Sequence, residues 1–173
     1  MKKIILAIMI TGLSFAQNND PYVAFSTSFD VRNAIVGSEP TNNNPELNFI
    51  LGFQMVGKSV EVGIFYESFK SIEFSRYGLN AGYQFPIIEK LTITPSLQFS
   101  IIDRKEVYQK YKGSGSFLSY GGNINIRYEI VENITIGLRS ECVARTDLNY
   151  LYGGSNYIFS NYLEIGYKIN LNN

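Results

Sequence analysis

From residue 118 to residue 130, apolar and polar side chains alternate. Leu118, Tyr120, Gly122, Ile124, Ile126, Tyr128 and Ile130 share one face, and Ser119, Gly121, Asn123, Asn125, Arg127 and Glu129 share the other. Residues 159–171 repeat the arrangement. Phe159, Leu163, Ile165, Tyr167, Ile169 and Leu171 are on the apolar face, which Asn161 interrupts. Residues 76–85 set Tyr77, Leu79, Ala81, Tyr83 and Phe85 against Arg76, Gly78, Asn80, Gly82 and Gln84. A period of two means strands with two unlike faces. Aromatics stand at both ends of the apolar face, with aliphatics between them. Aromatic rings favour the headgroup level of a membrane, and aliphatics favour its hydrocarbon. From Tyr120 to Tyr128 a strand rises about 26 Å. Tilted by ~40°, that is roughly 20 Å along the membrane normal, close to the apolar band of a transmembrane barrel. The aromatics of the two girdles are Phe29, Phe49, Phe53, Tyr66, Tyr77, Tyr83, Phe85, Phe99, Tyr120, Tyr128, Phe159 and Tyr167.

The same alternation predicts eight strands, at about 22–30, 46–56, 59–69, 72–85, 91–101, 117–130, 134–145 and 157–171. The connections 57–58, 86–90 and 131–133 are short. The connections 31–45, 102–116 and 146–156 are long and polar. Short turns at one end and long loops at the other are the habit of outer-membrane barrels. The predicted fold is all-β: an eight-stranded antiparallel up-and-down transmembrane β-barrel. Pro95 lacks a ladder donor, so a bulge or a broken bond is expected beside it. The short turn 131–133 is expected to set Asn125 opposite Arg139, Asn123 opposite Glu141, and Arg127 beside Gly137.

The N-terminus changes the setting. Met1-Lys2-Lys3 precedes an apolar run from Ile4 to Ile10, and Ser14 and Ala16 are small. This pattern reads as a secretory signal peptide over 1–16, cut after Ala16, with the barrel occupying 17–173. The apolar run is too short to span a membrane as a helix. A mature chain without a second such run enters a membrane only as a closed barrel. Hydrophobic residues make up 45% of the chain and mean hydropathy is -0.03. Such average values suit a barrel whose two faces alternate. The 15 basic and 15 acidic residues cancel, so no basic excess points to nucleic acid. The single Cys142 excludes an internal disulfide, and the absence of His removes the usual metal and triad chemistries.

Charge falls on the face opposite the apolar one. Glu61, Glu67, Arg76, Arg127, Glu129, Arg139, Glu141, Arg145, Glu164 and Lys168 are all placed inward, among glycines. The bore of an eight-stranded barrel is only wide enough for its own side chains. Charges there must pair, because an unpaired buried charge costs several kcal/mol. A proton path or catalytic carboxylates is the functional alternative to a salt-bridged plug, and the plug is preferred. No catalytic residue, metal site or cofactor is expected, and the chain is read as a non-enzyme.

The long loops carry the remaining candidates. Arg104, Lys105, Tyr108, Lys110, Tyr111 and Lys112, with Tyr150 and Tyr152, make a basic, tyrosine-containing surface. Tyr and Arg are favoured contact residues, and the cations suit lipopolysaccharide phosphates. A partner protein held through these loops is the other expectation. The rival reading of the loops is plain solvated surface.

The chain resembles the eight-stranded outer-membrane β-barrels of Gram-negative bacteria, most of all the small outer-membrane β-barrel or porin-family proteins of the Bacteroidota. Such barrels end in a signal of the form polar, any, Gly, any, any, apolar, any, apolar. Glu164-Ile165-Gly166-Tyr167-Lys168-Ile169-Asn170-Leu171 fits it, followed here by Asn172-Asn173. The resemblance implies residence in the bacterial outer membrane, contact with its lipid and lipopolysaccharide, and assembly by the barrel-assembly machinery. It implies a role as membrane scaffold, surface-contact protein or accessory subunit of an outer-membrane assembly. Two alternatives stay open: a soluble, secreted, lipocalin-like ligand-binding barrel, and a small-solute pore.

Overall fold

A computed structural model describes residues 21–31, 47–69, 73–105, 114–148 and 157–171. Among them run nine strands: β1 (Tyr22–Phe29), β2 (Asn48–Gly57), β3 (Val60–Phe69), β4 (Phe74–Tyr83), β5 (Phe85–Ile88), β6 (Leu91–Lys105), β7 (Ser114–Val131), β8 (Ile134–Ala144) and β9 (Tyr157–Asn170). β4 and β5 are two parts of one wall strand, since both pair with β6. Each remaining strand pairs antiparallel with its neighbours in sequence, and β9 pairs with β1. The sheet therefore closes into an eight-stranded antiparallel barrel with no open edge. The expected leader, 1–16, lies outside the described residues.

Pro95 shows why one wall strand is split. It stays in register opposite Ile124 on β7, so β6 itself runs on unbroken. The ladder fails on the other side. Pairing between β4 and β6 stops at Gly82 and Ser96 and resumes on β5 at Phe85 and Ile93. The gap falls opposite Pro95, which has no N–H to give. The backbone N–H of Gln84 turns instead to the carbonyl of Ser59, at 2.7 Å.

The turns at one end are tight. Lys58 and Ser59 join β2 to β3 with φ of 49° and 69°. Two central residues in the left-handed region suit a two-residue hairpin, whose twist matches that of the strands. Asn133, at φ 68°, does the same between β7 and β8.

The far end departs from expectation. Residues 102–116 were read as loop, but β6 continues to Lys105 and β7 begins at Ser114. The hairpin is extended because its inner side has something to cover. Ile102 is fully buried against Phe69 and Phe74, with Phe117 packed beside it. Ala144, which shares the parity of the outward Cys142, is nevertheless buried at the end of β8. There the chain leaves the wall for a helical turn at 146–148, and the Thr146 hydroxyl donates to the Leu118 carbonyl at 2.5 Å.

The two faces of the wall are sharply different. Outward side chains include Leu97 at 76% exposure, Phe159 at 68% and Leu79 at 61%. Inward, Glu61 is fully buried and Arg76 is 1% exposed. Aromatic cross-strand pairs mark two outer bands. Phe29 pairs with Phe49, Tyr66 with Tyr77 and Phe99 with Tyr120 toward the loop end. Phe25 lies between Phe53 and Tyr167 toward the turn end. On β7, Tyr120 and Tyr128 bracket Gly122, Ile124 and Ile126. Tyr83 and Phe85 stack at 4.8 Å between ring centroids, near the turn end of their strand.

Candidate functional site

The lumen is the site that this fold builds, and strand parity positions it. Inward residues along β3, β4, β7, β8 and β9 are the polar half of each alternation. The β7–β8 turn sets the seam: Asn125 faces Arg139, Asn123 faces Glu141 and Arg127 faces Gly137. A Cβ on Gly137 would lie 2.3 Å from the Ile126 carbonyl oxygen, so only glycine fits that close approach beside Arg127.

Toward the turn end, Arg127 is the centre of one cluster. Its Nη1 lies 2.6 Å from Glu61 on β3, and its Nε lies 2.6 Å from Glu164 on β9. Gln84 donates to Glu61 at 2.9 Å and Ser28 donates to Glu164 at 3.2 Å. The Tyr22 hydroxyl reaches the Gln84 side chain. Below, Lys168 pairs with Glu129 at 2.7 Å and lies over the Tyr22 ring. Glu129 is thus satisfied by Lys168 and not by its strand neighbour Arg127.

Nearer the loop end sits a second cluster. The Nε of Arg76 is 2.7 Å from Glu67, and its Nη2 is 2.6 Å from Glu141. Arg139 joins Glu141 at 3.2 Å, and Gln98 donates to the same carboxylate. Tyr162 and Asn48 both donate to Glu67, at 3.0 and 3.1 Å. The Phe65 ring is flanked by the guanidiniums of Arg76 and Arg139, 5.1 and 5.6 Å from its centroid. Ile50, Phe65 and Tyr162 form an apolar core inside the bore. Above it a cavity of about 160 Å³ is lined by Asn48, Glu67, Phe74, Arg76, Arg145 and Tyr162, among others.

At the mouth, Asp147 is held by two arginines. Arg145 binds it through Nε and Nη2, at 2.8 and 2.7 Å, and Arg104 through Nη1 at 3.0 Å. Arg145 also covers the Phe74 ring, 4.3 Å from its centroid. Burial alone would raise the Asp147 carboxyl, but the hydrogen bonds and charges of Arg145 and then Arg104 hold it below its ordinary value.

All ten inward charges read from the sequence face the bore or its mouth, each within an ion pair. Arg104 is a correction. It was placed with the exposed contact loop, yet it is partly buried and paired with Asp147, because the longer β6 keeps it within the wall. Lys105 is in β6, but its side chain, with Tyr108, Lys110, Tyr111, Lys112, Tyr150 and Tyr152, lies outside the described residues. The aromatics expected in girdles all take outward positions, half-buried or exposed. Sequence reasoning missed Asp147, Gln98, Asn48, Ile50 and Phe65, and it placed Gln84 on the polar face without giving it a part in the charge network. For all but Asp147 the signal was there, since strand parity alone puts them inside.

The arrangement does two things chemically. It neutralises the charges that it buries, and it ties opposite walls together across the bore. Along the wall of β6 and β7, Thr94, Ser96, Asn123 and Asn125 hold buried polar atoms with no hydrogen-bond partner among the described residues, a strip suited to ordered water.

No protein-family model matches the chain, and no curated protein matches it. Solved structures share its fold. The N-terminal β-barrel domain of Pseudomonas aeruginosa OprF matches with a TM-score of 0.60 at 13% identity, over 88% of this chain and 100% of that one. Neisserial surface protein A matches with a TM-score of 0.53 at 13% identity, over 90% of this chain and 99% of that one. At such identity the likeness establishes the eight-stranded barrel fold.

Proposed function

We propose that the chain is an integral outer-membrane β-barrel with a filled lumen, serving as a membrane scaffold, a surface-contact protein or an accessory subunit of an outer-membrane assembly. One observation carries the reading: the barrel is inside-out by the standards of a soluble protein. Its large apolar side chains are exposed between two aromatic bands, while its charges are buried and paired. Hydrocarbon is the solvent that such an outer face suits. A lipocalin-like binder needs the opposite arrangement, with an apolar interior open to a ligand. The ion clusters likewise argue against a small-solute pore and give no acid or base a free partner for catalysis.

The finer parts of the proposal are export through 1–16, the narrower likeness to Bacteroidota barrels, and contact with lipopolysaccharide or a protein through the long loops. The terminal pattern Glu164–Leu171 supports recognition by the barrel-assembly machinery. Planar-bilayer recording tests the filled lumen. The expected result is no steady conductance, and a stable, ohmic nanosiemens-scale pore would overturn it. Trypsin added to intact cells tests orientation. Cleavage is expected at Lys110 and Lys112, with Lys58 and Lys90 protected; the reverse pattern would invert the topology.

A further inference from the structure

Asn161 breaks the apolar face of β9, and the lumen does not account for it. It points outward and is exposed, one outward step from Phe159 in the loop-end band and three from Tyr167 in the other. Its Oδ1 accepts a hydrogen bond from Ser140 on β8 at 2.7 Å. Its Nδ2 donates to no acceptor among the described residues. Among the outward positions between the two bands it is the one carboxamide in the described residues. The ladder does not need it there: backbone bonds hold the register Ile124–Ser140–Asn161, and its side chain serves only as acceptor for Ser140 among the described residues.

An amide left unpaired in hydrocarbon is costly, and an acyl chain has no acceptor to offer. The ground is low on its β8 side only: Ser140 lies between it and Ile124 in the row, and the next row holds Gly122, Cys142 and the exposed Phe159 ring. Small outward residues let two protein surfaces approach closely within a membrane, and polar side chains then bond across the contact. A carboxamide is both donor and acceptor, so it complements itself. Oδ1 keeps a second lone pair beside the bond from Ser140, and a two-fold axis turns each Nδ2 toward the other copy. A different partner would have to bring a matched polar group to the same depth. A second copy brings it by symmetry, and the patch carries no charge to oppose the approach.

We propose that the outer face of β7 to β9 is the contact between two copies of this chain, with Asn161 and Ser140 hydrogen-bonding across a two-fold axis. The inference rests on the reading that this face lies in the membrane. Cys142, the only cysteine in the chain, is exposed one row away and serves as the probe. The full chain in native membranes is treated with a short bismaleimide and run on denaturing gels. The expected product is a crosslinked species of twice the chain mass. Asn161→Leu should lower its yield about tenfold while the barrel keeps its heat-modifiable migration, which reports folding in each variant. Cys142→Ser combined with Ile64→Cys puts the probe on β3, four strands away round the barrel, and should give no product. Several results would overturn the proposal: no product from the folded wild type, an adduct of another mass, equal product from Ile64→Cys, or indifference to Asn161→Leu. Release of the chain by alkaline carbonate is a separate result, which would overturn the membrane reading and this contact with it.

Discussion

On β7, Ile126 points outward and is 40% exposed, while Arg127, the next residue, points inward and is 8% exposed. The two share a backbone and live under opposite rules. Outside, a side chain has to be apolar and of roughly suitable size, and its neighbours are loosely specified. Inside, each charge has named partners, often from strands far apart in sequence, and each small residue holds space for a larger one. The outer face is specified by composition, and the inner face by identity.

The comparison breaks most sharply at Arg127. Arg127→Ala would leave Glu61 and Glu164 buried without their cation, a loss of about 3–5 kcal/mol. Urea unfolding, followed by heat-modifiable migration, should show it as the largest effect of any single change here. Combining it with Glu61→Gln and Glu164→Gln should recover much of the loss; no recovery would mean that charge is not the cause. Next comes the reverse experiment at the neighbouring position. Ile126→Arg puts a cation on the outer face, at roughly 2–4 kcal/mol near a bilayer midplane, and Ile126→Leu should be neutral. Equal behaviour of the two in a membrane-insertion assay would place Ile126 away from lipid.

The glycines sharpen the contrast. Gly137→Ala drives a methyl into the Ile126 carbonyl and should cost about 1–3 kcal/mol. Gly57→Ala meets no atom within 4 Å and should cost little, so a similar midpoint shift for both would undo the close-packing argument. The smallest effect belongs to the mouth. The folded state holds the Asp147 carboxyl below its ordinary value of 3.8, so its contribution is present above that value and fades as the pH falls through the lower folded one. Asp147→Asn should cost about 1 kcal/mol at neutral pH and nothing in strong acid. The difference between wild-type and variant stability against pH is the measurement.

What the sequence made legible follows the same division. Parity along each strand placed the outer aromatics and the inward charges, because side-chain direction alternates strictly. The β7–β8 register could be read too, since a short turn leaves little choice. The partners of Arg127 could not. Glu61 is 66 residues away and Glu164 is 37, and both meet it across the bore. Such contacts depend on how far the register climbs round the closed barrel, which no single hairpin fixes. Asp147 was hidden for another reason: it lies in a turn beyond β8, where alternation ends. Arg104 was misplaced because β6 and β7 extend past the point where their outward residues turn polar. The strand is prolonged there by Ile102 on its inner side.

The strand that closes the barrel has a consequence for the order of assembly. β9 brings Glu164 to Arg127, Lys168 to Glu129 and Tyr162 to Glu67, and it supplies the ladder that seals β8 to β1. Until it arrives, the bore holds stranded charges and the sheet has two open edges. A seven-strand precursor is therefore no stable resting point: insertion should be a single late event in which the wall closes and the interior neutralises together. A chain stopped before Tyr157 should not reach a stably inserted state, which membrane fractionation and heat-modifiable migration would check.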